Sequence, residues 1–330
     1  MRIAIVGAGA VGCLIAARMP PAEHQVTLIA RRTAAVIAIR REGIQMISPE
    51  GLTTRHPVAI TDDALSIGPQ DLVILCVKAY SLRGVLTTLA QLIGPRTAIV
   101  PIVNGIPWWY PYGQPAPLAG CQLRSLDDDG SLAAIPLDRV VGTLTDVTVE
   151  TPGVGRIRHV GGQRFTFGDP VTHDRSMTMP TNPEIAALFW TAGFESVAVA
   201  DIRPRIWTKL AGDLAFNPLS VLTGASPGKI CADPGSRAVV RRMMEEAAVV
   251  AEHLGAELEL SIGDRIAASA ATGNVRTSML LDYLAGKRLE LDSILGSVIE
   301  LAGVVDIDVP TLRTIYALTA LRAQGRNDET

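Results

Sequence analysis

The first half of the chain alternates short apolar runs with segments that have helical periodicity. The runs "RIAIV", "QVTLIA", "DLVILCV" and "TAIVPIV" are almost continuously apolar, which is typical of strands buried on both faces of a parallel sheet. From residue 139 onward, "VVGTLTDVTVE", "GRIRHVG" and "RFTFGDP" have the pattern of further short strands. We expect these to complete one doubly wound α/β sheet.

Helical periodicity dominates the second half, from "PEIAALFWTAG" onward, with one possible strand at "ESVAVA". "RAVVRRMMEEAAVVAEHL" predicts a long helix in which Met243 and Met244 lie in the core. The segment 171–183 has the composition of a linker, and residues 322–330 that of a disordered tail. We therefore predict an N-terminal α/β domain over 1–175 and an all-α domain over 182–325.

Composition excludes several classes of function. The 330 residues carry a formal net charge of −3, so there is no electrostatic reason to expect nucleic acid or an anionic membrane as a partner. The four scattered cysteines and five histidines show neither a disulfide framework nor metal-ligand spacing. No apolar stretch reaches the 18 residues of a membrane span. We expect a cytoplasmic protein without a metal.

Three glycines follow the first predicted strand in the pattern Gly7-x-Gly9-x-x-Gly12. Gly7 permits a tight turn, Gly9 lets a pyrophosphate approach the backbone, and Gly12 lets helix and strand pack closely. Ala10 and Val11 then open a helix whose amide groups would face the phosphates. This pattern predicts a dinucleotide site, and the alternative is a glycine-rich turn without a ligand.

The end of the second predicted strand indicates which dinucleotide binds. Arg31 and Arg32 stand where an NAD-binding fold would place an acidic residue for the ribose hydroxyls. A guanidinium can grip a 2′-phosphate with paired hydrogen bonds, whereas a carboxylate would repel it. We therefore predict NADP(H), held through Arg31, with an ordinary surface arginine as the alternative.

Polar residues end the next two predicted strands, at Lys78 and Asn104. The carboxyl ends of strands in doubly wound folds face the crevice where ligands bind. Both residues are therefore candidates for cofactor and substrate contacts. Plain loop residues are the alternative.

The helix predicted at "WTKLAGDLAFNP" carries a polar stripe on an apolar helix. Lys209, Asp213 and Asn217 are spaced four residues apart, and Ser220 returns to the same face. An ammonium near a ketone oxygen stabilises the negative charge that hydride addition creates there, and can protonate it. A solvated helix face with one ion pair is the alternative.

Several of these segments together resemble the ketopantoate reductases (2-dehydropantoate 2-reductases), over nearly the whole chain. The matching elements are "GAGAVG" with Arg31 after the second strand, "CVKAY", "VNG", "WTKLAGDLAFNPLSVLTG", "TSMLLDYLAGKRLELD" and "GVVDIDVP". The lysine helix and the Ser-Met-Leu…Glu element are specific to that family, whereas the glycine pattern is not.

The resemblance implies a Rossmann domain joined to a helical domain, as in the 6-phosphogluconate-dehydrogenase-like reductases, with substrate in the cleft between them. It implies NADPH-dependent reduction of 2-dehydropantoate to pantoate, a step of pantothenate biosynthesis. Lys209 would be the general acid, and Glu290 would accept a hydrogen bond from a substrate hydroxyl. The remaining residues implied at the substrate are Lys78, Asn104, Asn217 and Ser278.

Three departures from the family pattern leave the substrate open. Asp213 replaces the usual asparagine, and its carboxylate would favour the protonated lysine but repel an anionic 2-oxo acid. Val275, with Asn274 beside it, stands where the family commonly has an asparagine. The loop Trp108–Tyr110 is aromatic instead of polar, either as a pocket lid or as packing at a domain interface.

Because of these departures, two alternatives to the ketopantoate reductase hypothesis stay open. One is a paralogue of the same fold acting on a different ketone, imine or alcohol, with Asp213 and the aromatic loop altering its pocket. The other is a non-catalytic NADP(H)-binding protein. The apolar helical half also leaves a homodimer open.

Overall fold

The computed structural model describes residues 1–31, 33–170 and 179–327. The chain forms two compact units. Unit 1 comprises Met1–Val103 and Leu132–Ile202, and unit 2 comprises Asn104–Ser131 and Arg203–Thr330. The predicted linker at 171–183 lies largely outside the described residues, at 171–178.

Unit 1 contains twelve described strands. These are β1 (Arg2–Val6), β2 (Gln25–Ile29), β3 (Ile44–Ile47), β4 (Thr53–His56), β5 (Ala59–Thr61), β6 (Leu72–Leu75), β7 (Ala98–Pro101), β8 (Gly142–Thr145), β9 (Thr148–Gly153), β10 (Arg156–Gly161), β11 (Arg164–Asp169) and β12 (Glu195–Asp201). A parallel sheet of order β5-β2-β1-β6-β7 forms its centre. Residues Leu72–Leu75 and Ala98–Pro101 are fully buried, as their continuous apolar patterns predict.

The strands from residue 139 onward were predicted to complete this sheet, and that prediction is wrong. They form two others, of order β4-β3-β10-β9 and β12-β11-β8. Burial alternates along the start of β10, which fits a sheet with one open face and not a doubly covered centre. The segment before β8 reaches the central sheet at Ile99, which forms an isolated bridge with Val140 and accepts a hydrogen bond from the amide of Val141 at 2.8 Å. The strand predicted at 195–200 is confirmed as β12.

The α-helices described in unit 1 are α1 (Ala10–Arg18), α2 (Thr33–Glu42), α3 (Leu86–Leu92) and α4 (Asn182–Thr191). Helix α1 starts at Ala10 directly after the glycine turn, as predicted. The aromatic rings of Phe165 and Phe167 on β11 pack on Phe189 of α4, with centroids 4.8 and 4.9 Å apart. This packing places α4 in the core of unit 1, and β12 pairs with β11 at the edge of the same sheet.

Unit 2 is helical, in agreement with the predicted all-α half. Its helices are α5 (Arg203–Thr223), α6 (Pro227–Ala232), α7 (Pro234–His253), α8 (Ile262–Ala271), α9 (Ser278–Leu284), α10 (Ser297–Val304) and α11 (Pro310–Asn327). A π-helical turn, Asp292–Gly296, precedes α10. Met243 and Met244 are fully buried, as predicted. None of the described helices is long and apolar enough to cross a membrane.

The division between the two units and the end of the last helix differ from those predicted. Residues 104–131 belong to unit 2 although they follow β7, whereas α4 and β12 belong to unit 1 although they follow the linker. The tail expected at 322–330 is helical to Asn327, because α11 continues through it. Composition alone suggested both boundaries, and composition does not report which core a segment packs on.

Candidate functional site

Helix α5 carries the predicted polar stripe. On the opposite, apolar face of the helix, Trp207, Leu210 and Leu214 are buried. Burial of this apolar face holds α5 in unit 2. The side chains of Lys209 and Asp213 are 18% and 23% exposed. The helix therefore presents a charged pair at the edge of its buried core.

The ammonium of Lys209 has two polar partners. It forms a short ion pair with Asp213, one turn later on α5. It also donates a hydrogen bond to the amide oxygen of Asn104 at 3.3 Å. Lys209 is therefore held at a defined position with its charge compensated.

Asn104 links this pair to Glu290. Its amide nitrogen donates to Oε2 of Glu290 at 3.3 Å, while its amide oxygen accepts from Lys209. An ammonium can only donate and a carboxylate can only accept, so the two neighbours fix the orientation of the amide. Lys209, Asp213, Asn104 and Glu290 form one polar network within unit 2, called the lysine cluster below.

The π-helical turn holds the backbone beside Asn104. The amide of Ile106 donates to the carbonyl of Ser293 at 2.9 Å. Gly105 has φ +87, and a Cβ there would lie 2.9 Å from the nitrogen of Ile294 and closer still to the Ser293 carbonyl. Only glycine permits both this conformation and this approach. Asn104 is therefore positioned by a backbone contact with the segment that also follows Glu290.

Asn217 and Ser278 are not joined to the lysine cluster by any hydrogen bond within the described part of the chain. Asn217 is buried on α5, and its carbonyl accepts a hydrogen bond from Ser220 at 2.7 Å. Ser220 also contacts the hydroxyl of Thr277 at 2.5 Å. Thr277 caps α9, so Ser278 is the first helical residue and is exposed.

The aromatic loop packs inside unit 2. Trp108, Trp109 and Tyr110 are 4% exposed or less. The indole nitrogen of Trp207 on α5 donates to the hydroxyl of Tyr110 at 2.7 Å, and the two rings meet edge to face. The loop therefore anchors the first turns of α5, two residues before Lys209.

The glycine turn of unit 1 has the shape expected of a dinucleotide site. Gly7 has φ +114, and a Cβ there would lie 2.9 Å from the carbonyl carbon of Cys76. A Cβ at Gly12 would lie 3.2 Å from the carbonyl carbon of Gly7. Gly9, in contrast, is exposed, and its Cβ would meet nothing nearer than 4.0 Å. Two glycines close the turn and the third leaves its surface open.

The other predicted cofactor residues of unit 1 lie on α1 and after later strands. Ala10 and Val11 begin α1, which has no acidic residue in its first turn. Arg31 is exposed, and one of its terminal nitrogens lies 3.2 Å from where a Cβ would stand on Gly84. Lys78 is half-buried and precedes a short 3₁₀ helix. Arg32 lies outside the described residues.

Two of the cysteines, Cys13 and Cys76, are unreactive. Burial raises the pKa of the Cys13 thiol to about 12 and also raises the pKa of the Cys76 thiol, so both are neutral thiols at pH 7. All four cysteines are free. Over the described residues, no group of histidine, cysteine and acidic side chains could hold a metal ion.

Sequence reasoning missed three elements of the site. The role of Gly105 depends on the π-helical turn, which begins 187 residues later and which no short-range pattern predicts. Thr277, which caps α9 and contacts Ser220, was not singled out, because a capping threonine has no pattern that distinguishes it as part of a site. Arg265 on α8, whose guanidinium donates to the carbonyl of Lys209 at 3.4 Å, carries no motif.

Comparison with protein families gives two matches that cover most of the chain. The family described as "Ketopantoate reductase PanE/ApbA" matches residues 3–171. Its C-terminal counterpart, "Ketopantoate reductase PanE/ApbA C terminal", matches residues 201–323. The second match contains α5 and the Ser278 to Glu290 element.

Individual relatives span the whole chain. A 2-dehydropantoate 2-reductase of Mesorhizobium japonicum is 38% identical over 327 residues, which is 99% of each chain. A provisionally assigned ketopantoate reductase from Ralstonia solanacearum MolK2 has a crystal structure with a TM-score of 0.90 and 37% identity, covering 99% of this chain and 98% of that one.

A more distant structure shares the fold alone. D-mandelate dehydrogenase, in a ternary structure with NADH and anilino(oxo)acetate, gives a TM-score of 0.84 at 20% identity, covering 99% of this chain and all of that one. The Rossmann sheet of unit 1, the helices of unit 2 and the two family matches agree with one another. The chain therefore belongs to the ketopantoate reductase family, a family of oxidoreductases.

Proposed function

We propose that the protein reduces a 2-oxo acid with NADPH, converting 2-dehydropantoate (ketopantoate) to pantoate, with Lys209 as the general acid. The observation that carries the proposal is the lysine cluster, in which Asn104 joins the ammonium of Lys209 to the carboxylate of Glu290. The 38% identity to a 2-dehydropantoate 2-reductase supports the choice of substrate.

The turn at Gly7, Gly9 and Gly12 fits the pyrophosphate of a dinucleotide, because its surface is open at Gly9 and closed at the other two positions. Amide groups at the start of α1, from Ala10 and Val11, would donate to the phosphates. Arg31 would bind the 2′-phosphate, and Lys78 and Asn104 would contact the nicotinamide half. NADPH, when bound, supplies the hydride.

Lys209 would donate a hydrogen bond to the ketone oxygen and then its proton, as negative charge develops there. A preorganised donor of this kind lowers the barrier by roughly 3 kcal/mol. Asn104 keeps the ammonium in place, and Glu290 would accept a hydrogen bond from a hydroxyl of the substrate. Asn217 and Ser278 would complete the substrate contacts beyond Asp213.

The ion pair between Lys209 and Asp213 favours a second candidate. A carboxylate beside the donor disfavours an anionic substrate and suits a neutral or amine-bearing ketone, imine or alcohol. In that case the protein is a paralogue with the same cofactor and the same fold. Absorbance at 340 nm, with NADPH and a panel of ketones, imines and 2-oxo acids, separates the two. Ketopantoate is the best substrate under our proposal and is ignored under the alternative.

We expect Asp213→Asn to lower the KM for ketopantoate by about three- to tenfold, because one negative charge near the substrate carboxylate is removed. Steady-state kinetics of both enzymes measure this change. Glu259→Gln is the matched control. It also removes one carboxylate charge from unit 2, at the residue that pairs with Arg205, and it should leave KM unchanged. A wild-type enzyme inactive on ketopantoate that gains activity in Asp213→Asn would favour the paralogue.

Arg31→Ala is expected to weaken NADPH binding at least tenfold and to leave NADH binding nearly unchanged, because only NADPH has a 2′-phosphate for the guanidinium to pair with. Titration of nicotinamide fluorescence gives both dissociation constants. Arg96→Ala, at an exposed arginine paired with Asp71, controls for loss of charge on unit 1. Equal affinity of the wild type for NADPH and NADH would contradict the choice of cofactor.

A further inference from the structure

The guanidinium of Arg265 lies against the backbone of α5 at Gly212. A Cβ on Gly212 would stand 2.5 Å from Nε and 2.7 Å from Cζ of Arg265. Any other residue at 212 would therefore force the guanidinium away from the helix. The absence of a side chain at Gly212 creates a seat for a planar cation directly beside Asp213.

Arg265 is not neutralised by an acidic side chain anywhere in the described parts of the chain. One terminal nitrogen donates to the backbone carbonyl of Lys209 at 3.4 Å, and Nε is buried without a hydrogen-bond partner there. Arg205, one turn before Lys209 on the same helix, differs because it pairs with Glu259 at 3.2 Å. A buried donor without a partner is costly, and the terminal nitrogens of this half-buried guanidinium keep further donors that a ligand can use.

The spacing of Gly212 and Lys209 on α5 suits a receptor for a substrate carboxylate. Gly212 lies three residues, or about 4.5 Å along the axis, from Lys209, and 60° round the helix from it. In a 2-oxo acid the carboxylate is bonded directly to the ketone carbon. A carboxylate receptor must therefore stand beside the proton donor, within about one turn of it.

The charge of Asp213 also favours such a group. Its carboxylate pairs with the ammonium of Lys209 and repels an anionic substrate that approaches the proton donor. The guanidinium of Arg265 offsets this repulsion.

We propose that Arg265, seated on Gly212, is the receptor for the carboxylate of the substrate. This proposal rests on the proposed 2-oxo acid reductase function and adds the group that selects an acid over a neutral ketone. The planar fork of arginine can hold a carboxylate through two parallel hydrogen bonds, which lysine cannot do. It also explains how the chain keeps Asp213 and still accepts an anion.

The test compares ketopantoate with its neutral methyl ester in wild type, Arg265→Gln, Arg265→Lys and Arg205→Gln. We expect Arg265→Gln to lower the acid-to-ester ratio of kcat/KM at least tenfold, mainly through the KM of the acid. Arg265→Lys should give an intermediate ratio, and Arg205→Gln the wild-type ratio. An unchanged ratio in Arg265→Gln, or a ratio that depends on Ser278→Ala instead, would overturn the proposal.

A binding measurement separates failure of this proposal from failure of the proposed function. Calorimetry with oxamate, in the presence of NADP⁺, reports carboxylate binding without turnover. If the wild type does not reduce ketopantoate, the proposed function fails, yet at least tenfold weaker oxamate binding by Arg265→Gln still supports the receptor. Equal binding by both proteins, or no binding by the wild type, overturns it. Should Arg265→Gln not fold, the same comparison is made with Arg265→Lys.

Discussion

Lys209→Ala is expected to lower kcat for ketopantoate by between about 100- and 1,000-fold, because the reaction loses the group that stabilises and protonates the developing alkoxide. The dissociation constant of NADPH should stay near the wild-type value, since the glycine turn and Arg31 belong to unit 1. Steady-state rates from NADPH absorbance, together with a fluorescence titration, measure both quantities.

Lys287→Ala is the control for this substitution. Lys287 is also a lysine of unit 2 beside an acidic residue, with Asp282 at 3.9 Å, but its side chain is 58% exposed. Its removal should leave kcat unchanged. Loss of activity in both variants to the same extent would show a general effect of charge and not a role for the ammonium of Lys209.

Gly105→Ala is expected to lower kcat about 100-fold, because an added Cβ would push the backbone away from Ser293 and displace the adjacent Asn104. A misplacement of about 1 Å in a reacting site can cost this much in rate. The hydrogen bond from Ile106 to Ser293 would be lost as well, so the melting temperature should also fall. Kinetics and thermal unfolding measure the two effects.

Gly255→Ala is the control that separates the effect of backbone strain from the effect of displacing Asn104. Gly255 also has a positive φ, +74, but a Cβ there meets nothing within 4 Å. Its replacement should cost about 1 kcal/mol of stability with kcat unchanged. If Gly105→Ala loses stability to the same small degree and keeps kcat, the π-helical turn does not position Asn104.

The elements with strong local patterns could be predicted from the sequence. The turn at Gly7 to Gly12, the central buried strands and the apolar side of α5 follow from steric need and periodicity. The three short strands β3 to β5 were missed, because runs such as "TTRH" and "AIT" are too short and too polar to have a strand pattern. Pairing with β10 and β2 stabilises them, and pairing is not a local property.

The candidate residues of the site were named one by one from the sequence, whereas the hydrogen bonds that connect them were not predicted. The stripe on α5 indicates that Lys209 and Asp213 are neighbours, and they form an ion pair. Nothing in the spacing predicts that Asn104, 105 residues earlier, bonds to Lys209. The segment 104–131 leaves the sheet after β7 and packs in unit 2, so a residue expected at a strand end lies beside the lysine instead.

The central claim is that the ammonium of Lys209 takes part in the chemical step. The most direct measurement is single-turnover oxidation of bound NADPH after rapid mixing with saturating ketopantoate, in wild type and Lys209→Ala. Our account predicts a rate constant at least about 100-fold lower in the variant, with NADPH still bound before mixing. Single-turnover rates within threefold of each other, in two folded proteins that both hold NADPH, would contradict it.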